Sequence, residues 1–157
     1  MSHCETAGTG WNLAPVTQTD PIHTRRRIRI VVADDHAIIR AGLAKLLESA
    51  GDMEVVGSAA DGCEAVEVSA RECPDVVLMD LSMPRANGVE ATRRISAAQP
   101  ATRVLILTAA SRIDQIWEAM RAGAVGHLLK DAEPDALFAT IRAAAAGGER
   151  LPASGLR

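Results

Sequence analysis

The sequence predicts an α/β fold, a doubly wound parallel sheet with helices on both faces. Three observations carry that prediction. Apolar runs such as Val76-Val77-Leu78-Met79 and Val104-Leu105-Ile106-Leu107 are continuous, as in strands buried on both sides. Segments of helical periodicity alternate with them in five βα units, which implies right-handed crossovers between parallel neighbours. Nearly half of the residues are apolar, yet Trp11, Trp117 and Phe138 are the only aromatics, so the core must be built from Val, Ile, Leu, Ala and Met.

At 157 residues the chain is one domain by size. Residues 1–26 are polar, lack periodicity and read as a disordered tail, with Trp11 an unattached residue within it. Arg25-Arg26-Arg27 with Arg29 is a short basic cluster, read as solvated charge flanking a strand start rather than a partner contact. A domain is expected over residues 27–148, followed by a tail or the start of a linker at 149–157. Its first strand, 28–33, leads into a helix over 36–50 with Ile39, Leu43, Leu46 and Leu47 on one face. Gly51-Asp52 breaks that helix, and 53–56 is the second strand. Asp61-Gly62 turns the chain into a helix reaching Arg71, and Pro74 stops it before the strand at 75–79. Asn87-Gly88 opens the third helix, to about Ala98, and Pro100 precedes the strand at 103–107. The fourth helix, 112–122, is expected to be capped by Ser111 with Asp114 three residues on. Its stripe Ile113, Ile116, Trp117 and Met120 reads as core. Gly123 and Gly126 bracket the turn into a strand at 125–129. Pro134 sits in the first turn of the last helix, where a missing N–H is harmless, and Gly147-Gly148 ends it.

A flavodoxin-like strand order, 2-1-3-4-5, makes the first and third strands neighbours at the switch point where such sheets bind ligands. Asp34-Asp35 follows the first strand and Asp80 the third, so three carboxylates converge. Thr108 ends the fourth strand and Lys130 the fifth. Like charges about 4 Å apart repel by several kcal/mol at an effective dielectric near 20, so the acids need a counter-charge. An all-oxygen set favours a hard cation, and Mg²⁺ suits it because it takes one or two carboxylates and shares phosphate oxygens. Acids, metal, lysine and hydroxyl together describe a phosphoryl-transfer site. With no usual general base and no nucleotide-cradling loop, the nucleophile must be a carboxylate, and Asp80 is the candidate. Asp34 and Asp35 could instead cap the first helix, and Lys130 could be a solvated strand-end charge. The joint occurrence of all four elements favours the site.

The ordered set Asp34-Asp35, Asp80-Leu81-Ser82-Met83-Pro84, Thr108 and Lys130 resembles the receiver domain of bacterial two-component response regulators, whose sheet is CheY-like. The resemblance spans about residues 27–147. Val32-Ala33-Asp34-Asp35-His36 and Gly123-Ala124-Val125-Gly126-His127-Leu128-Leu129-Lys130-Asp131 look most like the NarL/FixJ type. The resemblance implies that Asp80 accepts a phosphoryl group from a histidine kinase. Asp35, Asp80 and the backbone carbonyl of Ser82 would bind Mg²⁺ directly, and Asp34 through a water. Lys130 would pair with phosphoryl oxygens, Thr108 would swing inward as the switch, and Ser82 and Ala110 would tune phosphoryl lifetime. Three departures from the usual receiver stand out. His127 stands where most have Tyr or Phe as the second switch residue, either as a switch with added pH sensitivity or as a plain sequence variant. Asp131 replaces a common cis proline, so the Lys130–Asp131 bond is expected to be trans. Arg85 and Asn87 replace small or acidic residues, Arg85 either contacting a partner or pointing to solvent.

Formal charge is −3, which argues against a nucleic-acid binder. The nine residues from 149 to 157 cannot hold the helix-turn-helix module that NarL/FixJ-type regulators carry, so no direct DNA reading by this chain is expected. Cys4, Cys63 and Cys73 have no metal-ligand spacing and read as reduced thiols. With neither a leader-like apolar region nor a membrane span, the expectation is a cytoplasmic protein. The partner expected is a histidine kinase; the alanine-rich last helix (Ala136, Ala139, Ala143 to Ala146) reads either as a small-residue face for a second copy of the chain or as a helix simply packed on the sheet. An enzyme is the competing class. Mg²⁺-dependent phosphatases of the haloacid-dehalogenase type also place a nucleophilic Asp after a strand, but need a second acid two residues on, where this chain has Ser82. A protein-interaction module that uses the same fold without phosphorylation is the other alternative.

Overall fold

The computed structural model describes residues 26–109 and 112–147. Nearly all of the expected N-terminal tail with Trp11, the C-terminal segment, the Ser111 cap and Ala110 lie outside the described residues. Five βα units follow one another: β1 (Ile28–Ala33), α1 (Ala37–Ser49), β2 (Met53–Ala59), α2 (Gly62–Glu72), β3 (Val76–Met79), α3 (Gly88–Ala98), β4 (Arg103–Thr108), α4 (Ile113–Ala122), β5 (Gly126–Leu129) and α5 (Pro134–Ala145). All strand pairings are parallel and the order is β2-β1-β3-β4-β5, as the sequence predicts.

Strand side chains alternate between two cores. Val31, Ala33, Val77, Met79, Val104 and Ile106 pack with residues of α2, α3 and α4. Ile30, Val32, Val76, Leu78 and Leu105 pack with Leu47 of α1 and Leu137, Ile141 and Ala144 of α5. This two-sided burial is why the central strands are continuously apolar, and each fully buried aliphatic contributes on the order of 1.5–3 kcal/mol.

Local chemistry sets the helix starts. Asp61 caps α2 by accepting from Glu64 N at 2.8 Å, while Glu64 Oε2 accepts from Ala60 N at 2.8 Å, a reciprocal box at the helix start. Asn87 caps α3 through Glu90 N at 2.9 Å, and Pro134 occupies the first turn of α5. α4 has Arg112 at its N-cap, without a side-chain cap bond.

Three expectations need correction. β2 runs to Ala59 rather than Val56, because Gly57, Ser58 and Ala59, weak strand formers, pair with Val31, Val32 and Ala33. The α4 stripe is only half core: Ile116 and Met120 are buried, but Ile113 and Trp117 remain 46% and 45% exposed on the stripe's outer flank. The basic cluster is structural as well as solvated. Arg29 Nη1 donates to the carbonyls of Glu72 and Cys73 at the end of α2, and Arg26 pairs with Asp75. No described peptide bond is cis, and Lys130–Asp131 is trans as expected. Cys63 and Cys73 are free thiols. No helix among the described residues is long and apolar enough to cross a membrane.

Candidate functional site

β1 and β3 are paired in register from Ile30↔Val76 to Ala33↔Met79, so the residues that follow them, Asp34 and Asp80, emerge side by side. The backbone fixes both: Asp34 N donates to Ala59 O at 3.0 Å and Asp80 N to Ala33 O at 2.9 Å. β4 and β5 end alongside, with Lys130 N donating to Thr108 O at 2.9 Å. Four strands thus deliver Asp34, Asp80, Thr108 and Lys130 to one edge of the sheet. Asp34, Asp80 and Thr108 are buried.

The charges are unequally satisfied. Asp34 Oδ2 takes a 2.7 Å bond from Lys130 Nζ, and its Oδ1 takes one of 2.8 Å from His36 N. Burial alone would raise the Asp34 carboxyl, but the bonds from Lys130 and His36 outweigh it and hold the group below the ordinary carboxylate range. Asp80 differs. Its Oδ1 accepts only a long bond, 3.3 Å, from Ser82 N. Lys130 Nζ lies 3.3 Å from its Oδ2, near enough for Coulomb attraction, yet Oδ2 is buried with no directed hydrogen bond. Burial pushes the Asp80 carboxyl up, aided by the Asp34 charge and only partly opposed by Lys130. Lys130 is held above the usual lysine range: burial works against its charge, but the Asp34 bond and the two carboxylates prevail.

One ligand atom each from Asp34, Asp35, His36 and Asp80 lies within 4.8 Å of all the others. Three carboxylates against one lysine leave the centre in excess negative charge, and Asp80 Oδ2 has only the 3.3 Å approach of the shared Lys130 ammonium to offset its own. That donor set fits a hard divalent cation. Asp34 and Asp35 do not cap α1: its N-cap is His36, and the capping alternative falls away. Ser82 lies beside Asp80 with its side chain exposed. His127 is buried, with Nδ1 unpartnered, and burial alone pushes its pKa down.

The Arg85 side chain is 70% exposed, in keeping with the solvent-facing reading, and it also makes an ion pair within the chain. In the loop between β3 and α3 the residue takes a left-handed backbone, φ 65°, and its guanidinium is 3.4 Å from Asp61 Oδ2 at the start of α2. The loop lies so close to α2 that a Cβ on Gly62 would meet Ala86 O at 1.8 Å. His36 is the site residue the sequence reasoning missed. It read only as a helix start, and its signal was its adjacency to Asp34-Asp35.

Comparison with known proteins agrees with this arrangement. The family model of the response regulator receiver domain matches residues 30–142. This chain belongs to the receiver-domain family of two-component response regulators. Among curated relatives, the transcriptional regulatory protein YxjL of Bacillus subtilis is 43% identical over 121 residues, covering 77% of this chain and 56% of that protein. The oxygen regulatory protein NreC of Staphylococcus aureus is 44% identical over 116 residues, 73% of this chain and 54% of that one. The receiver thus spans about half the length of the curated relatives it matches. Among solved structures, the signal receiver domain of the response regulator NarL from Mycobacterium tuberculosis superposes with a TM-score of 0.74 at 33% identity, covering 78% of this chain and 99% of that one.

Proposed function

We propose that this receiver is a phosphoryl acceptor, with Asp80 attacking the phosphorus of a phosphohistidine on a histidine kinase. In that step an Asp80 oxygen forms the O–P bond, the P–N bond breaks, and the departing imidazole takes up a proton, leaving an acyl phosphate. The observation that carries the reading is the buried Oδ2 of Asp80, without a hydrogen bond and 3.3 Å from Lys130 Nζ. Such an oxygen has little solvation to lose on attack, and the lysine charge is already placed for incoming phosphoryl oxygens. Asp34 holds Lys130 in position.

Mg²⁺ is the inferred cofactor, held by Asp35, Asp80 and the Ser82 carbonyl with Asp34 acting through a water, and it would neutralise charge on the phosphoryl group. Thr108 and His127 are the inferred switch pair: Ile106↔His127 and Thr108↔Leu129 are register partners, so both project from the β4–β5 pair. A phosphoryl group adds roughly one to two negative charges, a scale that biases a two-state loop by a few kcal/mol. The functional domain is taken as residues 27–148, working in the cytoplasm. By analogy with relatives named as transcriptional regulators, the output it serves is transcriptional control. A second copy of the chain is an inferred partner; α5 leaves Ala136, Ala139, Ala143 and Ala146 exposed.

Incubation with Mg²⁺ and acetyl phosphate, followed by intact mass, tests the reading. One added phosphoryl group is expected in the wild type and none in Asp80→Asn. An unmodified wild type would overturn it in favour of an interaction module that works without phosphorylation.

A further inference from the structure

Asp34 and Asp35 leave β1 on a turn that one side chain holds. The Asp34 carbonyl lies past the last strand pairs, Ala33↔Ala59 and Ala33↔Met79. Its hydrogen bond comes from a side chain instead: Arg40 Nη1 donates to it at 2.6 Å. Arg40 is the fourth residue of α1, and its own N–H donates to His36 O at 3.0 Å, so the helix start carries the arm. A donor that bears a full charge makes a stronger bond than a neutral one. A peptide group is planar, so the bond that fixes the Asp34 carbonyl also fixes the direction in which the chain enters Asp35. Little else steadies that residue. Asp35 is exposed, and its carboxylate is approached at 3.0 Å by the ring of His36, which is exposed as well. The Arg40 arm lies along an open cleft of about 380 Å³ between α1 and β2, walled by Ala37, Ala41, Ala44 and Val56. Small walls grip the arm little, and shortening it would widen the cleft rather than leave a closed void. The bond therefore does more for the acids than for the core.

We propose that Arg40 is a positioning residue of the acid centre. Its bond to the Asp34 carbonyl sets the Asp34–Asp35 peptide, and through it the Asp35 carboxylate, where a divalent cation requires it. The proposal rests on the reading of Asp35 as a metal ligand. Mg²⁺ tolerates little departure from octahedral geometry, so an acid free to swing on an exposed turn would bind it poorly. Loss of a hydrogen-bond partner behind a metal ligand typically costs about 10–100-fold in affinity. The charge of Arg40 has the opposite influence. A guanidinium near the site repels a cation, so its removal alone would tighten Mg²⁺ binding. The sign of the change separates a residue that places the acids from one that only sets the local potential.

The test uses the full chain as wild type, Arg40→Met and Arg40→Lys. Met keeps an unbranched stem without a donor, and Lys keeps the charge on a shorter arm. Calorimetry is expected to show Mg²⁺ bound about tenfold more weakly by Arg40→Met, with a smaller loss in Arg40→Lys. The Mg²⁺ concentration that half-saturates phosphorylation by acetyl phosphate should rise by the same factors, while the metal-free melting temperature of Arg40→Lys stays at the wild-type value. Unchanged or tighter Mg²⁺ binding in both variants would overturn the proposal and leave the phosphoryl-acceptor reading intact. So would a loss confined to Arg40→Met and matched by a fall in its metal-free melting temperature, the mark of a residue that only holds the fold together. A wild type that binds no Mg²⁺ would overturn the metal reading of the acids themselves.

Discussion

The two ends of the sheet treat charge in opposite ways. At the amino end every ionic group named here has a partner. Arg26 meets Asp75, Arg29 meets Glu72 and the last carbonyls of α2, and Arg142 makes a two-pronged contact with Asp52 at 2.7 and 3.0 Å. These pairs are largely exposed, and exposed pairs contribute little. At the carboxyl end the acids outnumber the single lysine, Asp34 and Asp80 are buried, and Asp80 Oδ2 has only the 3.3 Å approach of that lysine, without a directed hydrogen bond. The difference teaches where stability has been given up. Mismatched buried charge is costly and persists where a site needs it, whereas the amino end is merely kept neutral and wet.

Substitutions at the carboxyl end should therefore be large and of either sign, and those at the amino end small. The largest expected stability effect is that of Lys130→Met, which leaves Asp34 and Asp80 facing each other unshielded. Discounted for the partial exposure of the lysine, the loss should be about 2 kcal/mol by denaturant unfolding at neutral pH. Asp80→Asn should go the other way, gaining about 1 kcal/mol at neutral pH because it removes the least satisfied charge.

The two substitutions also separate by pH. The folded protein holds the Asp80 proton above the ordinary carboxylate range, so between the ordinary and the raised value stability falls as pH rises. Asp80→Asn should lose that fall. Asp34, held low, behaves oppositely: its contribution is present above the ordinary carboxylate value and disappears as pH drops through the lowered one. Unfolding curves taken from acid to neutral pH read both slopes. The smallest effect is expected at the amino end. The Asp52 carboxyl is held low by the Arg142 bond, yet Arg142→Gln should move the melting temperature only within experimental scatter, because both side chains are more than 40% exposed. A large loss there would erase the contrast between the ends.

What the sequence revealed follows the same division. β3 and the interior of β4 were legible because strands buried on both faces leave no polar residues to interrupt the run, β1 because only Arg29 interrupts it, and the flavodoxin-like order then brought Asp34 to Asp80. The last three residues of β2 were not, since Gly57, Ser58 and Ala59 owe their extended state to pairing with β1. Ile113 and Trp117 show that an apolar stripe at helical spacing can be wider than the surface that covers it. Arg29 looked like one charge in a run, and only the fold brings the end of α2 within its reach. His36 had no visible role, because its contacts depend on the backbone turn that follows β1.

Thermal melting with Mg²⁺ and beryllofluoride, an acyl-phosphate mimic, tests most directly the claim that Asp80 is an acceptor kept short of positive charge and hydrogen-bond donors. Ligand bound only to the folded protein raises its stability by mass action. The wild type should melt several degrees higher with the pair than with either component alone, and Asp80→Asn should not respond. Equal shifts in the two proteins, or none in the wild type, would contradict the account.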